Sequence, residues 1–249
     1  MKLKRINFKL IAAALLVVLL VAVSGFVVWA NNASPASDIA LQALNSDSAV
    51  TVSNEYGYYT FTPTRTTPTT GFIFYPGGRV DYRAYAPVLR MIAEQGYFVA
   101  LVPVPLNLAF FDINAAAPVQ EQYPDIEYWV VGGHSLGGVA ASVYAKDHQN
   151  DLDGIIFFAS YPADDTLKNS DLEILSIYGT RDMAGMDKFD ETKALLPPQT
   201  QYVVIDGGNH AQFGSYGPQA GDNEATISPE DQWAQVSTAT VEFLKSLSQ

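Results

Sequence analysis

Apolar runs of strand length, separated by segments with helical spacing, recur along this chain and limit its fold more than any other feature. The runs are "GFIFYP" (71–76), "YFVALVPV", "YWVVGG", "DGIIFFAS", "LEILSIYG" and "QYVVID". They are continuously apolar rather than alternating, which is typical of parallel strands covered on both faces. Their alternation with helices predicts an α/β domain, a three-layer α/β/α sandwich around a mostly parallel sheet.

Further segments predict how this domain opens and closes. "AVTVSN" and "YYTFTP" predict an antiparallel pair that begins the sheet. A helix is expected to start between Tyr82 and Ala86 and to stop near Gly96. Ser228 followed by Pro229 is typical of a helix start, here of the final helix. The expected buried face of that helix consists of Trp233, Val236, Thr240, Phe243, Leu244 and Leu247.

The first thirty residues combine a basic head with a long uncharged apolar run from Leu10 to Ala30. At about 1.5 Å per residue such a run is long enough to cross a bilayer, and basic residues before it favour an exported remainder. Residues 1–30 are therefore predicted to be a transmembrane anchor or, alternatively, a signal segment cleaved after Ala30. The rest of the chain is expected outside the cytoplasm, either anchored to the membrane or secreted.

Residues 31–46 are predicted to be a polar linker, and residues 47–249 a single domain with one core. The chain has no cysteine, which excludes disulfides, thiolate metal sites and a catalytic thiol. Four of its 14 basic residues lie in the first ten positions, so the remainder carries 10 basic against 26 acidic residues. An acidic body of this kind argues against binding nucleic acid through phosphates.

The stretch "WVVGGHSLGGVA" places one serine among four glycines, between an apolar strand and a helical segment. Its core "GHSLG" (133–137) fits G-x-S-x-G, in which a sharp strand-to-helix turn exposes a nucleophilic hydroxyl. Side chains at positions 133 and 137 would collide with the neighbouring strand and helix. Ser135 is the predicted nucleophile, and the Leu136 N–H at the helix start is a candidate oxyanion donor. The alternative is a structural glycine turn with an idle serine.

A serine nucleophile needs a general base, and the chain has three histidines. His134 lies inside the motif, and His148 lies at the polar end of the following helix. His210 follows the last strand in a glycine-rich loop that can bring an imidazole over the sheet edge, so we predict His210 as the base.

The base in turn needs a carboxylate that orients it. Asp182 comes just past a strand end and lies between Ser135 and His210 in chain order, as this architecture requires. Asp182 is the predicted acid. Asp164 or Asp165, after the preceding strand, is the alternative.

Two loops are expected to shape the site further. The Gly77-Gly78 pair exposes backbone after the third strand, and the N–H of Gly78 or Arg79 is a candidate second oxyanion donor. A plain Pro-Gly turn is the alternative. Residues 105–125 form a modest insertion, and we expect an open cleft lined partly by its aromatic side chains unless these serve only packing. These aromatic residues are Phe110, Phe111 and Tyr123.

Together these motifs resemble the α/β-hydrolase superfamily, most closely its small, single-domain, dienelactone-hydrolase-like members (alpha/beta hydrolase fold-5). The resemblance extends from about Gly71 to the C-terminus and rests on "YPGG", "GHSLGG", "GTRD" and "GNH". It implies the α/β-hydrolase fold, with Ser135 as nucleophile, His210 as base and Asp182 as acid. Dienelactone hydrolases usually carry a cysteine nucleophile, which this chain lacks.

The sequence thus predicts a serine hydrolase that acts outside the cytoplasm on small or extended carboxylic esters through an acyl-enzyme. Neither a metal nor an organic cofactor is implied, and the expected partners are the ester and, through the N-terminal helix, a membrane. The alternatives are an envelope serine peptidase or acyltransferase, or a non-catalytic, membrane-tethered binding protein that shares the fold.

Overall fold

The computed structural model describes residues 8–247. Residues 1–7 of the predicted N-terminal segment and residues 248–249 of the predicted domain lie outside the described residues. The strands are β1 (Val50–Ser53), β2 (Tyr59–Pro63), β3 (Thr70–Tyr75), β4 (Phe98–Leu101), β5 (Tyr128–His134), β6 (Gly154–Phe158), β7 (Glu173–Gly179) and β8 (Gln201–Ile205). The α-helices are α1 (Phe8–Asn31), α2 (Asp38–Gln42), α3 (Ala86–Glu94), α4 (Ala117–Gln122), α5 (Leu136–Asp147), α6 (Met186–Thr192) and α7 (Pro229–Leu247).

The strands form one mixed sheet in the order β1-β2-β4-β3-β5-β6-β7-β8. From β4 to β8 all neighbours are parallel. Strand β2 runs antiparallel to both β1 and β4. The predicted opening pair and the mostly parallel sheet are therefore both confirmed.

Helices cover both faces of the sheet. Helices α3 and α7 pack on one face against side chains such as Phe72 and Phe74, while α4 and α5 pack on the other against Ile73 and Tyr75. Every residue of β3 is buried, because its alternate side chains enter two different apolar layers. This arrangement confirms the three-layer α/β/α sandwich.

Helix boundaries follow the expected capping chemistry. A 3₁₀ turn at Tyr82–Tyr85 leads into α3, and the chain leaves that helix at Gly96, which has φ 105°. The Ser228 hydroxyl accepts the Asp231 N–H at the start of α7 (3.1 Å). Five of the six predicted core residues of α7 are buried, and Leu247 packs half-exposed against the same layer.

The predicted linker, residues 31–46, lies against the domain. Its Ser34 N–H donates to the Arg79 carbonyl (2.8 Å), and the Asp81 N–H donates to the Ser34 carbonyl (2.9 Å). The hydroxyls of Ser37 and Ser215 lie 2.6 Å apart, at the start of α2. Because these contacts join the segment to the loops that follow the carboxyl ends of β3 and β8, the helix before it is held close to that edge of the sheet.

Helix α1 projects away from the sandwich. Residues 8–29 are exposed, and Ala30 is the first buried residue. Within residues 8–247, α1 is the helix whose length and composition would allow it to cross a membrane, with a mean hydropathy of 3.0.

Backbone strain is concentrated at one edge of the sheet. Within residues 8–247, five non-glycine residues have positive φ, a region that costs L-residues free energy. They follow the carboxyl ends of β3, β4, β5 and β6, where ligands of parallel sheets bind. These residues are Arg79, Leu106, Asn107, Ser135 and Ala159.

Replacing Gly133 by alanine should destabilise the protein. A Cβ at this position would lie 2.5 Å from both the Gly137 carbonyl carbon and the Tyr75 carbonyl oxygen, and backbone cannot move aside as a flexible side chain can. We expect Gly133→Ala to lower the free energy of unfolding by about 2–4 kcal/mol, measured by urea titration. Gly25→Ala in α1 adds a Cβ with nothing within 4 Å and serves as the control. Equal stability of the two variants would contradict the packing argument.

Candidate active site

Ser135 occupies the turn between β5 and α5 with φ 51° and ψ −120°. Its N–H donates to the Phe158 carbonyl (3.0 Å), and its carbonyl accepts the Ser160 hydroxyl (2.7 Å). The strained residue is thus fixed through its backbone by β6 and the loop after it. Its side chain takes part in neither bond.

Three glycines allow the turn to be this tight. Added carbons at Gly133 and Gly137 would both strike the Tyr75 carbonyl oxygen on β3. One at Gly138 would lie 2.5 Å from the Ser160 hydroxyl oxygen and 2.8 Å from the Gly133 carbonyl oxygen. The collisions with strand and helix expected at 133 and 137 are therefore present, and Gly138 brings α5 close to the sheet.

His210 and Asp182 form a buried pair at the ends of the last two strands. His210 Nδ1 lies 2.9 Å from Asp182 Oδ2, and their side chains are 7% and 1% exposed. Asp164, the alternative acid, is exposed and instead accepts the Thr166 N–H (2.9 Å). The neighbouring Asp165 is also exposed.

Ser135 and His210 line a common cavity of about 290 Å³. The lining contains no Asp, Glu, Lys or Arg, although the body of the protein is strongly acidic. The complete lining is Ser135, Leu136, Val139, Ala159, Ser160, Tyr161, Met183, Ala184, His210 and Gln219.

A carboxylate that the sequence did not single out joins the Asp182 loop to the His210 loop. Asp222 accepts the Met183 N–H through Oδ1 (3.1 Å) and the Ala211 N–H through Oδ2 (2.8 Å). Met183 and Ala211 directly follow Asp182 and His210 in the chain, so one carboxylate fixes the spacing of both loops. Nothing in the composition of the polar segment after His210 distinguishes Asp222 from the residues around it.

The candidate oxyanion donors have different surroundings. Leu136 is the first residue of α5, so its N–H has no partner within the helix. A Cβ on Gly78 would lie 2.8 Å from Leu136 Cδ2, which places the Gly78 loop beside the start of α5. The Arg79 N–H donates to the Asn107 carbonyl (2.7 Å) and is therefore already committed.

A tyrosine joins that loop to the serine turn. The Tyr85 hydroxyl accepts the Gly77 N–H (3.0 Å) and lies 2.8 Å from His134 Nδ1. The hydroxyl can donate to that nitrogen when His134 is neutral. Burial lowers the pKa of His134 well below its usual value, and the nearby His210 lowers it further.

A larger cavity of about 610 Å³ is lined in part by Asp222 and its neighbours. It is bordered by Asn209, Ala211 and Trp233 but includes neither Ser135 nor His210. The smaller cavity is therefore the one at which nucleophilic chemistry can occur.

The order of the strands, the strained serine and the buried His–Asp pair agree with one family. The alpha/beta hydrolase family model matches residues 71–234, well over half of the chain. The chain belongs to the alpha/beta hydrolase family. The resemblance inferred from the motifs is thereby confirmed. No protein of curated function matches the chain significantly.

Solved structures of several hydrolases share this fold at low sequence identity. The esterase domain of a Rhodothermus marinus protein is 14% identical, with a TM-score of 0.58 over 75% of this chain and 90% of its own. A dienelactone hydrolase from Anabaena variabilis is 16% identical, with a TM-score of 0.58 over 82% and 98%. Est1E from Butyrivibrio proteoclasticus, solved with ferulic acid bound, is 14% identical, with a TM-score of 0.56 over 82% and 98%. At these identities the likeness shows the fold.

The buried, neutral His134 should make stability depend on pH. In the unfolded chain a histidine takes up a proton below about pH 6.5, whereas folded His134 remains neutral because its pKa is lowered. The unfolded state then binds more protons, so stability should fall with decreasing pH by up to about 1.4 kcal/mol per unit from this group. Urea titrations from pH 7 to 5 should show a shallower fall for His134→Asn, which keeps an acceptor for Tyr85 but cannot titrate.

The matched control is His148→Asn, since His148 lies outside this buried network, at the end of α5. We expect it to retain the wild-type slope. A His134→Asn slope equal to the wild type would show that His134 does not carry this pH dependence.

Proposed function

We propose that this protein is a serine carboxylic-ester hydrolase with the triad Ser135, His210 and Asp182. The observation that carries the proposal is that a strained, cavity-facing turn holds Ser135 in the same cavity as a histidine whose other nitrogen is 2.9 Å from a buried carboxylate. A binding role requires neither the strain nor the buried pair, because both cost free energy without a nucleophile to activate.

The chemistry proceeds in two halves. His210 Nε2 takes the Ser135 hydroxyl proton as Oγ bonds to the ester carbonyl carbon, and the same proton then passes to the departing alkoxide as the C–O bond breaks. Water attacks the acyl-enzyme in the second half, gives one proton to His210 and releases the carboxylic acid, and Ser135 regains its proton. Asp182 holds the imidazole through Nδ1 and stabilises the imidazolium in both halves.

The developing oxyanion needs two N–H donors. Leu136 supplies one from the N-terminus of α5, where the helix dipole adds a favourable field. Gly78 is our choice for the second, since its loop lies against Leu136 while the Arg79 N–H donates to Asn107. The Tyr85 hydroxyl holds Gly77 and therefore positions that loop.

The substrate class follows from the cavity. Its lining carries no formal charge apart from that which His210 acquires during turnover. The substrate groups next to the scissile bond should therefore be neutral as well. Its volume of about 290 Å³ lies at the lower end of small-molecule sites, which run to about 1,000 Å³. A neutral ester with a narrow acyl or alcohol group fits this space best.

We also propose that α1 is retained as a membrane anchor, with the domain outside the cytoplasm. Arg79 Nε donates to the Trp29 carbonyl (3.0 Å) and its terminal nitrogen to the Asn32 carbonyl (2.7 Å), so this side chain satisfies carbonyls at the helix end. The guanidinium also lies 4.5 Å from the centre of the Trp29 ring. Cleavage after Ala30 would remove Trp29 and cut within a hydrogen-bonded helix end at which Ala30 is buried, which supports an uncleaved segment.

Replacing the nucleophile tests the triad. Ser135→Ala should reduce turnover of p-nitrophenyl butyrate by at least about 10³-fold and abolish labelling by a fluorophosphonate, with an unchanged circular dichroism spectrum. Ser170→Ala is the matched control, because Ser170 is a buried serine that bonds the Leu167 carbonyl before β7. Full activity of Ser135→Ala would refute the proposal, and faster cleavage of an amide than of its ester would favour the peptidase alternative.

Asp222 should act as a positioning residue for the pair. Asp222→Asn keeps one acceptor but turns an NH₂ toward a backbone N–H, so the two loops should separate slightly. We expect kcat to fall about 10–100-fold with a KM within about twofold of wild type, because small misplacements of catalytic groups reduce the rate rather than binding.

The control is Asp206→Asn, which neutralises an exposed carboxylate after β8 that bonds Thr180 (3.3 Å). It should retain wild-type kcat. An equal loss in both variants would attribute the effect to net charge, and no loss in either would remove Asp222 from the site.

A further inference from the structure

The end of helix α1 lies directly beside the active-site edge of the domain. Asn107 Nδ2 donates to the Ala30 carbonyl (3.3 Å), and the Phe26 ring packs edge-on against Phe111 with centroids 6.1 Å apart. Both partners come from residues 105–111, which follow β4 as two short 3₁₀ turns. We call these seven residues the β4 loop.

The contacts along α1 fix the depth of the β4 loop relative to the helix. Tryptophan prefers the boundary between lipid and water, and Trp29 lies near the end of the apolar run. Phe26 precedes it by three residues, or about 4.5 Å along the helix. With Trp29 at the boundary, the Phe111 ring beside Phe26 lies at the level of the acyl chains.

The side chains of the β4 loop suit that position. Phe110 and Phe111 are 48% and 53% exposed, although rings of this size are normally buried. The range from Pro105 to Phe111 contains no charged residue, in contrast to the acidic body as a whole. A charge-free aromatic loop beside the helix end can enter the lipid interface at little desolvation cost.

An apolar path joins this loop to the nucleophile. A Cβ on Gly78 would lie 3.7 Å from Leu108 Cδ2 and 2.8 Å from Leu136 Cδ2, so the two leucines flank the same backbone. Leu136 in turn lines the cavity that holds Ser135. An acyl chain that enters at Phe111 can therefore reach the serine along leucine side chains.

We infer that the β4 loop inserts into the bilayer that holds α1, and that the substrates are acyl esters of neutral lipids drawn from that bilayer. The substrate class rests on the proposed esterase function, whereas the insertion does not. The acidic body is repelled by anionic headgroups, so charge attraction does not favour insertion. Burial of the apolar side chains of the β4 loop drives it instead. Vesicles of zwitterionic phosphatidylcholine are accordingly the membrane of choice for the test.

The position of the loop can be measured without any turnover. Because the chain has no native cysteine, Phe111→Cys and Val204→Cys each give one site for a nitroxide label in the full-length protein. Val204 is 43% exposed on β8, at the far edge of the sheet, and is the control. In phosphatidylcholine vesicles, lipid-soluble oxygen should speed the spin relaxation of the label at 111 more than a water-soluble nickel chelate does. The label at 204 should show the reverse order. Equal nickel access at both sites, or a mature chain that lacks residues 1–30, would overturn the insertion.

The substrate class is tested by comparing two esters on the same proteoliposomes. One is a fluorogenic long-chain diacylglycerol held in the phosphatidylcholine bilayer, and the other is water-soluble p-nitrophenyl butyrate. Phe110 and Phe111, which the sequence placed in the cleft, do not line the Ser135 cavity. The Phe110→Ser/Phe111→Ser variant should therefore cleave the bilayer ester about tenfold more slowly and the soluble ester at the wild-type rate. Val204→Ser should change neither rate.

The outcomes separate the two proposals. Hydrolysis of the soluble ester alone by the wild type, or equal loss on both esters in the double variant, would overturn the lipid-ester substrate and leave the esterase intact. Hydrolysis of neither ester, together with no fluorophosphonate adduct at Ser135, would overturn the esterase and the substrate class with it. The nitroxide measurement would still decide the membrane contact.

Discussion

The close approach of β3, β5 and the start of α5 is the constraint on which the active-site edge depends. Carbons added at Gly133 or Gly137 would strike the same carbonyl oxygen of Tyr75, so backbone rather than side chains fills the space below the serine. This packing, with the hydrogen bonds of Ser135 to Phe158 and Ser160, offsets the cost of a serine at φ 51°. Because its backbone is fixed in this way, Ser135 lines the cavity.

Much of this fold and the main site candidates could be predicted from the sequence, because both rest on local patterns. Continuous apolar runs identified the parallel strands, and glycines at fixed offsets identified the turn at Ser135. Asp182 and His210 were found because each follows a strand end, and parallel strands bring such ends to one edge. Asp222 and Tyr85 could not be found in this way, since each acts by bridging two loops that are distant in the chain. Such a bridge leaves no periodicity or spacing to detect.

The backbone N–H and the side chain of Arg79 both have partners that the sequence did not indicate. Arg79 lies in the predicted loop, but its N–H donates to Asn107, and its guanidinium binds the end of α1. Arg79 has a positive φ of 57°, and the Gly78 backbone next to it lies against Leu136. One strained residue therefore couples the helix end to the loop from which we expect the second oxyanion donor. This coupling also helps to hold the predicted polar linker, residues 31–46, against the domain.

The two walls of the cavity differ in polarity, and the proposed reaction needs both. The wall formed after β7 and β8 is a hydrogen-bonded network in which Asp182 and Asp222 hold His210 and its loop. In the proposed reaction, a proton is taken up and returned there. The other wall is apolar, since Leu136 at the start of α5 lines it and Leu108 lies beside the same Gly78 backbone. N–H donors act more strongly on a developing negative charge where water is excluded, so the apolar wall is the better place for the oxyanion. An acyl chain that arrives along that wall excludes water from it, and a lipid ester would thus complete the environment that its own hydrolysis requires.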